Sequence, residues 1–192
     1  MTTLFPPTVQ ARDVPAIPGL AYLPEYVSDA EERELVALID ARPWNTQWKR
    51  RRQPYGVSYG KGGDVPPIPG WGRRLADRLL ADGVTDTPFD QMLVNEYLPG
   101  QGIALHRDYE PFGRIVVSLS LLSGCVMDFR QRAGGRRERL LLEPRSLLVL
   151  RDAARYEWEH GIAGRKTDVW HGLPLPRGRR LSVTYRFLAG TR

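Results

Sequence analysis

The chain of 192 residues holds one cysteine, Cys125, and only three histidines. A single cysteine excludes an intrachain disulfide and a cysteine-built zinc site, as expected in a reducing compartment. The apolar neighbours of Cys125 predict a buried thiol. No run of 18 apolar residues occurs, and the N-terminus lacks a long apolar stretch after a basic start, so neither a membrane span nor a secretory signal is expected. No internal repeat is visible. Acidic residues are outnumbered: 22 Asp and Glu against 28 Lys and Arg give a formal charge of +6 and a pI near 9.8. The positive residues gather at Lys49 to Arg52, Arg136 to Arg139 and Arg177 to Arg180, which favours a polyanionic partner. The expectation is a cytoplasmic monomer with no membrane association.

What is abundant points to a folded, turn-rich domain. Hydrophobic residues make up 42% of the chain, with 19 glycines and 16 prolines, enough for one substantial core crossed by many short connections. Residues 1–18, with Pro6, Pro7, Pro15 and Pro18, read as an extended leader, and residues 19–188 as one domain. "SDAEERELVALIDAR" predicts a helix in which Ser28 and Glu31 form a capping box and Leu35, Leu38 and Ile39 share a face. "WGRRLADRLLAD" predicts a second, with Trp71, Leu75, Leu79 and Leu80 on its apolar side. From residue 89 the period changes to that of strands: "FDQMLVNEYL", "RIVVSLSLL", "CVMDFR", "RLLLEP", "SLLVLR", "RYEWEHGI" and "RLSVTYRFL". Helices followed by about seven short strands predict an α+β fold, a β-sandwich or barrel with the helices packed outside one sheet.

With so few histidines, "GIALHRDYE" stands out. His106-x-Asp108 offers an imidazole and a carboxylate at a spacing that lets both side chains point inward from a strand end. Two histidines and one carboxylate make the facial triad of non-haem Fe(II) oxygenases, which leaves coordination positions open. The third ligand is then His160 or His171. His160 closes the strand-like run "RYEWEHG", whereas His171 lies in the proline-bounded "DVWHGLPLP", so strand placement favours His160.

A cosubstrate pocket is written into "RRLSVTYRFL". Arg180, Ser182, Thr184 and Arg186 alternate with Leu181, Val183, Tyr185 and Phe187, so a strand sets both arginines and both hydroxyls on one face, over a backbone span of about 20 Å. Guanidinium groups grip carboxylates through two parallel hydrogen bonds, and a dicarboxylate calls for a cation near each end. "LVNEYLPG" adds Asn95 and Tyr97, two residues apart on one face, each able to donate to a carboxylate.

The ordered set Asn95-x-Tyr97, Pro99-Gly100, His106-x-Asp108, His160-Gly161 and Arg180-x5-Arg186 resembles the AlkB family of Fe(II)/2-oxoglutarate dioxygenases over about residues 20–188. "IVVSLSLLSGCVMDF" and "PRSLLVLRDAARYEWEHGI" also resemble it, including the AlkB domain of tRNA wobble-uridine hydroxylases. The resemblance implies a double-stranded β-helix, or jelly roll, with iron at its open end. It implies His106, Asp108 and His160 as iron ligands, Arg180 and Arg186 at the two ends of 2-oxoglutarate, and Asn95, Tyr97, Ser182 and Thr184 as further cosubstrate contacts. The implied reaction uses O2 and converts 2-oxoglutarate to succinate and carbon dioxide while a C–H bond is hydroxylated. On an N-alkyl base the hydroxylated carbon then leaves as an aldehyde.

The substrate is sought in residues 44–63, where family members that act on nucleic acids carry a lid. In "WNTQWKRRRQPYGVSYGKGG", Lys49 to Arg52, notably Arg51 and Arg52, are expected to meet phosphates, and Tyr55 or Tyr59 to stack on a base. Glu110 lies where an acidic residue reads the base edge in the founding enzyme. The leading expectation is oxidative dealkylation of N-alkylated bases in single-stranded DNA or RNA. Hydroxylation of a modified tRNA uridine ranks second, because no methyltransferase or RNA-binding pattern accompanies the domain here. Protein oxidation or demethylation, and a non-catalytic binding module, are the remaining readings.

Overall fold

The computed structural model describes residues 9–58 and 65–188. Its frame is two facing antiparallel sheets. The larger has the strand order β1 (Leu20–Leu23), β8 (Leu147–Leu150), β5 (Val116–Leu122), β12 (Arg180–Arg186), β3 (Gln91–Tyr97) and β2 (Arg52–Gly56). The smaller has the order β4 (Ile103–His106), β9 (Trp158–Ile162), β6 (Cys125–Gln131) and β7 (Arg137–Leu142). Apart from β2–β3 and β6–β7, neighbouring strands in these two sheets are non-consecutive in the chain, which is the jelly-roll arrangement that the family resemblance implies.

Alternation along each strand decides what lies between the sheets. On β12, Leu181, Val183 and Tyr185 are fully buried on the outward face. They pack with Met92, Val94, Val117 and Leu119 against Leu35 and Ile39 of α1 (Asp29–Asp40) and Trp71, Leu75 and Leu79 of α2 (Gly70–Ala81). Each such side chain stabilises the fold by roughly 1.5–3 kcal/mol through burial. The opposite face of the same strands joins Leu148, Leu150 and Tyr97 to Met127, Phe129, Leu140 and Trp158 of the smaller sheet. Cys125 lies in this second cluster, buried as expected.

The helices form where the sequence predicts them. Ser28 Oγ accepts from Glu31 N at 3.2 Å and Glu31 Oε2 from Ser28 N at 2.7 Å, closing the capping box of α1. One expected core residue of α2, Leu80, is 37% exposed, because it sits at the edge of the apolar stripe. Tyr185 fastens α2 to the sheet by donating from its hydroxyl to Gly72 O at 2.8 Å.

Several segments differ from the sequence reading. Residues 20–23 and 52–56 are strands that pair with β8 and β3, so part of the expected lid belongs to the larger sheet. In "RYEWEHGI" the first residues form a short helix, α3 (Asp152–Tyr156), and only Trp158–Ile162 are extended. The segment read as a surface loop around His171 is a hairpin of β10 (Thr167–Trp170) and β11 (Leu173–Pro176), whose Trp170 covers Val126 and Leu141 on the outer face of the smaller sheet. Leader residues 11–13 make a single 3-10 turn, and Ile17 is buried in the core. Among the described residues no helix is long and apolar enough to cross a membrane.

Candidate active site

Between the sheets lies a cavity of about 60 Å³ lined by Asn95, Tyr97, His106, Asp108, His160, Arg180, Ser182, Thr184 and Arg186. Nine sequence-predicted residues, far apart in the chain, thus meet in one place. Register explains how. β4 and β9 pair antiparallel with His106 opposite His160, and their rings lie 4.6 Å apart between centroids. The strands approach closely because Gly161 follows His160: a Cβ there would stand 2.9 Å from Ile103 O. Across the cavity, Arg180 is paired with Tyr97, Ser182 with Asn95 and Arg186 with Gln91.

Asp108 is not on the strand that carries His106, since β4 ends at His106. It is held instead by arginines from elsewhere. Arg155 of α3, itself buried, donates to the carbonyl oxygens of Asp108, Tyr109, Phe112 and Gly113 and so fixes the loop. Arg186 donates to Asp108 Oδ1, and Asp108 Oδ2 stands 3.5 Å from His160 Nε2. Sequence reading missed Arg155, whose burial carries no local signal because Asp152, Tyr156 and Glu157 around it are exposed.

The electrostatics suit cation binding. Burial raises the Asp108 carboxyl, but the Arg186 guanidinium, with help from both imidazoles and Arg155, overcomes this and leaves it at about 2. Burial pushes His160 down to about 4 against the pull of Asp108. At neutral pH the site therefore offers an ionised carboxylate beside a neutral imidazole. His106 Nδ1 lies 2.9 Å from Ala104 O; a carbonyl only accepts, so Nδ1 is the donor and Nε2 is the ring nitrogen left for a ligand. Among the described residues no three such side chains are already closed round one point, yet the donor set is that of an Fe(II) triad.

The other end of the cavity is built for an anion. Arg180 donates through Nη2 to Ser120 Oγ at 2.8 Å, while its buried Nε and Nη1 have no partner. A buried guanidinium with unused donors is costly unless a carboxylate meets it. Burial holds the Tyr97 hydroxyl above its ordinary pKa, so it remains a donor. Ser118, Ser182 and Thr184 form a hydroxyl floor, with Ser118 Oγ 2.8 Å from Ser182 Oγ.

The sequence matches the 2OG-Fe(II) oxygenase superfamily over residues 31–186. It is 33% identical over 201 residues to an alkylated DNA repair protein ALKBH8 homolog of Arabidopsis thaliana, covering 88% of this chain and 58% of that one. The chain belongs to the AlkB family. It is 34% identical over 167 residues to the tRNA (carboxymethyluridine(34)-5-O)-methyltransferase ALKBH8 of Mus musculus, covering 79% of this chain but 25% of that protein. This AlkB-family chain therefore spans 58% of the one curated relative and 25% of the other. In fold it is similar to the solved structure of OsALKBH1, with a TM-score of 0.68, 19% identity, and coverage of 88% and 97% of the two chains. As an Fe(II)/2-oxoglutarate-dependent dioxygenase it uses Fe(II), 2-oxoglutarate and O2, which together supply the oxidant for a C–H bond.

The expected substrate residues fare differently. Arg51 is committed to Glu96, by an Nε contact and by Nη2 to Oε1 at 2.8 Å, and stacks on Trp44. Arg52 stacks on exposed Trp48 at 4.5 Å and keeps a buried, unpartnered Nε. Tyr55 is a core residue, 5% exposed, whose hydroxyl donates to Gln53 Oε1, so it is not free to stack on a base. Tyr59 lies outside the described residues. Glu110 is exposed and does not line the cavity. Its suggested partner Arg107 donates to Tyr156 O instead. His171 is 57% exposed, 3.0 Å from Asp13 Oδ1, and far from the cavity lining.

A wider cleft of about 1220 Å³ runs beside the cavity, between the segment carrying Trp44 and Trp48 and the start of α2. Gln91 and Leu93 of β3 line the cleft, while Asn95 and Tyr97 of the same strand line the cavity. Among the described residues its lining holds no set of metal-binding side chains.

Proposed function

We propose that the protein oxidatively dealkylates N-alkylated bases in DNA or RNA. Iron is held by His106, Asp108 and His160. The cosubstrate is held by Arg180 at its distal carboxylate and Arg186 near the metal, with Asn95, Tyr97, Ser182 and Thr184 around it. The observation that carries this reading is the juxtaposition of the His–Asp cluster, the unpartnered Arg180 donors and the adjoining cleft rimmed by Trp48 and Arg52. A flipped base fits a cleft with an aromatic rim and a cation beside it.

Phosphate contacts are supported from two sides of the mouth. Lys49 and Arg52 remain available on one. On the other, the hairpin joining β6 and β7 carries Arg130, Arg132, Arg136, Arg137 and Arg139. Phe129 pairs with His160 in register, so the turn at residues 131–136 projects past the candidate iron site. Arg130 and Arg137 are direct cross-strand partners, an arrangement that is destabilising unless negative charge is supplied. Glu159 supplies it to Arg130. Among the described residues Arg132 and Arg137 are exposed and have no acidic partner.

A second reading, hydroxylation of a modified tRNA uridine, is favoured by the identity to the mouse tRNA enzyme, although only a quarter of that protein is matched. The test is to incubate the protein with Fe(II), 2-oxoglutarate and either methyladenine or methylcytosine oligonucleotides or modified tRNA, with mass spectrometry of the bases and succinate. Loss of methyl supports dealkylation, and absence of loss across these lesions rejects it. A gain of one oxygen on a tRNA uridine moves the assignment to the second reading.

A further inference from the structure

The end of β3 is held by arginines on both faces. On the outward face, the buried Glu96 carboxylate is gripped by Arg51 and by Arg179, the latter through Nε to Oε1 at 2.6 Å. On the inward face, the next residue, Tyr97, has the neighbouring arginines Arg50 and Arg180 over its ring, with guanidinium carbons 4.8 and 5.3 Å from the centroid. Adjacent residues of extended chain point to opposite sides of a sheet. The Glu96 ion pairs that turn Arg51 and Arg179 outward thereby leave Arg50 over the Tyr97 ring and Arg180 facing the cavity.

The two pairs differ in how their charge is met. Arg51 and Arg179 share a carboxylate, and Arg179 also donates to Asp40 at 2.8 Å. Among the described residues Arg50 has only neutral acceptors, Asn95 Oδ1 at 3.3 Å and Gly102 O at 3.0 Å. Neither Arg50 nor Arg180 makes an ion pair among the described residues. Two guanidinium groups beside one tyrosine, with no carboxylate between them, are stabilised by an anion from outside the chain. The nearest acid of the cavity, Asp108, is already engaged by Arg186.

We propose that Arg50 is a positioning residue for 2-oxoglutarate, acting from the lid segment through Asn95 and Tyr97 on the distal carboxylate bound at Arg180. The inference rests on the cosubstrate roles proposed above for Arg180, Asn95 and Tyr97. It has a thermodynamic consequence: docking of residues 44–52 and cosubstrate binding are linked, so each strengthens the other by the same factor. The dicarboxylate thus prepares the segment that borders the substrate cleft.

The test needs no turnover. 2-Oxoglutarate is titrated into the full chain with Mn(II) in place of Fe(II), following tryptophan fluorescence, to which Trp44 and Trp48 contribute from the lid, and chymotryptic cleavage after Trp48. Arg50→Met is expected to weaken 2-oxoglutarate at least tenfold and to abolish the protection that cosubstrate gives the Trp48 bond. Arg50→Lys, which keeps the charge without the fork, recovers part of both. Arg180→Met is the reference. If it loses binding while Arg50→Met stays within twofold of wild type and remains protected, the role of Arg50 is overturned and the cosubstrate assignment stands. If Arg180→Met also binds normally, the assignment itself fails and takes the inference with it. Should Arg50→Met not fold, Arg50→Lys decides: affinity and protection equal to wild type overturn the proposal.

Discussion

Arg186 donates through Nε to Oδ1 of Asp108 at 2.7 Å, joining the end of β12 to a loop 78 residues earlier in the chain. The bond fixes which carboxylate oxygen is engaged and leaves Oδ2 toward His160. A residue that orients a metal ligand in this way commonly governs activity by 10–100-fold. Arg186→Lys keeps the charge but loses the fork, and is expected to lower kcat/KM for succinate formation by about that factor, with an unchanged circular dichroism spectrum. Full activity in Arg186→Lys would show that the fork does not set the carboxylate.

Asp108→Ala and His160→Ala are each expected to abolish succinate formation, because each removes one of the three proposed iron donors. His171→Ala should retain activity within about twofold, its ring being exposed and on a hairpin away from the cavity. Equal loss in His171→Ala would overturn the choice of His160.

The arginine hairpin can be tested by binding alone. Reversing Arg132 and Arg137 to glutamate should weaken a single-stranded oligonucleotide by tenfold or more at low salt. It should also flatten the dependence of log K on log salt by roughly 0.7 for each phosphate that is no longer neutralised. Succinate formation without nucleic acid should be unaffected. An unchanged salt slope would remove the hairpin from the interface.

Glu96 gives the fold a pH dependence of definite sign. Burial raises its carboxyl, but Arg51 and Arg179 outweigh burial and hold it below its ordinary range. A depressed carboxyl contributes stability above its unfolded pKa near 4.3, and the contribution is lost as pH falls through the folded value. Arg51 is 41% exposed, so solvent screening reduces the value of the pair, and Glu96→Gln is expected to cost about 1–2 kcal/mol at pH 7. Urea denaturation should show the gap between wild type and Glu96→Gln closing as pH drops below about 4. A gap that is constant with pH would mean that the charge of Glu96 is not what stabilises β3.

Much of the fold was legible because its signals are local. The capping box at Ser28, the apolar stripe of Trp71, Leu75 and Leu79, and the period-two alternation of β12 each follow from covalent geometry within a few residues. β2 was hidden because "RQPYG" carries a proline and no clear alternation; only the partner strand β3 makes it extended. Tyr55 was read as a stacking residue for the same reason, since burial is a property of the surroundings and not of the tyrosine.

The sequence by itself determined which chemical groups are present and which can share a face: His106 and Asp108 two apart, Asn95 and Tyr97 two apart, and the arginine–hydroxyl ladder from Arg180 to Arg186. Tertiary structure alone decided their partners. Strand register set His106 against His160, the short helix before β9 lent Arg155 to the Asp108 loop 47 residues earlier, and Glu96 engaged Arg51 while Arg50 lay over Tyr97. A charge in a sequence has no direction until another charge, fixed by packing at a distance of a few ångströms, gives it one.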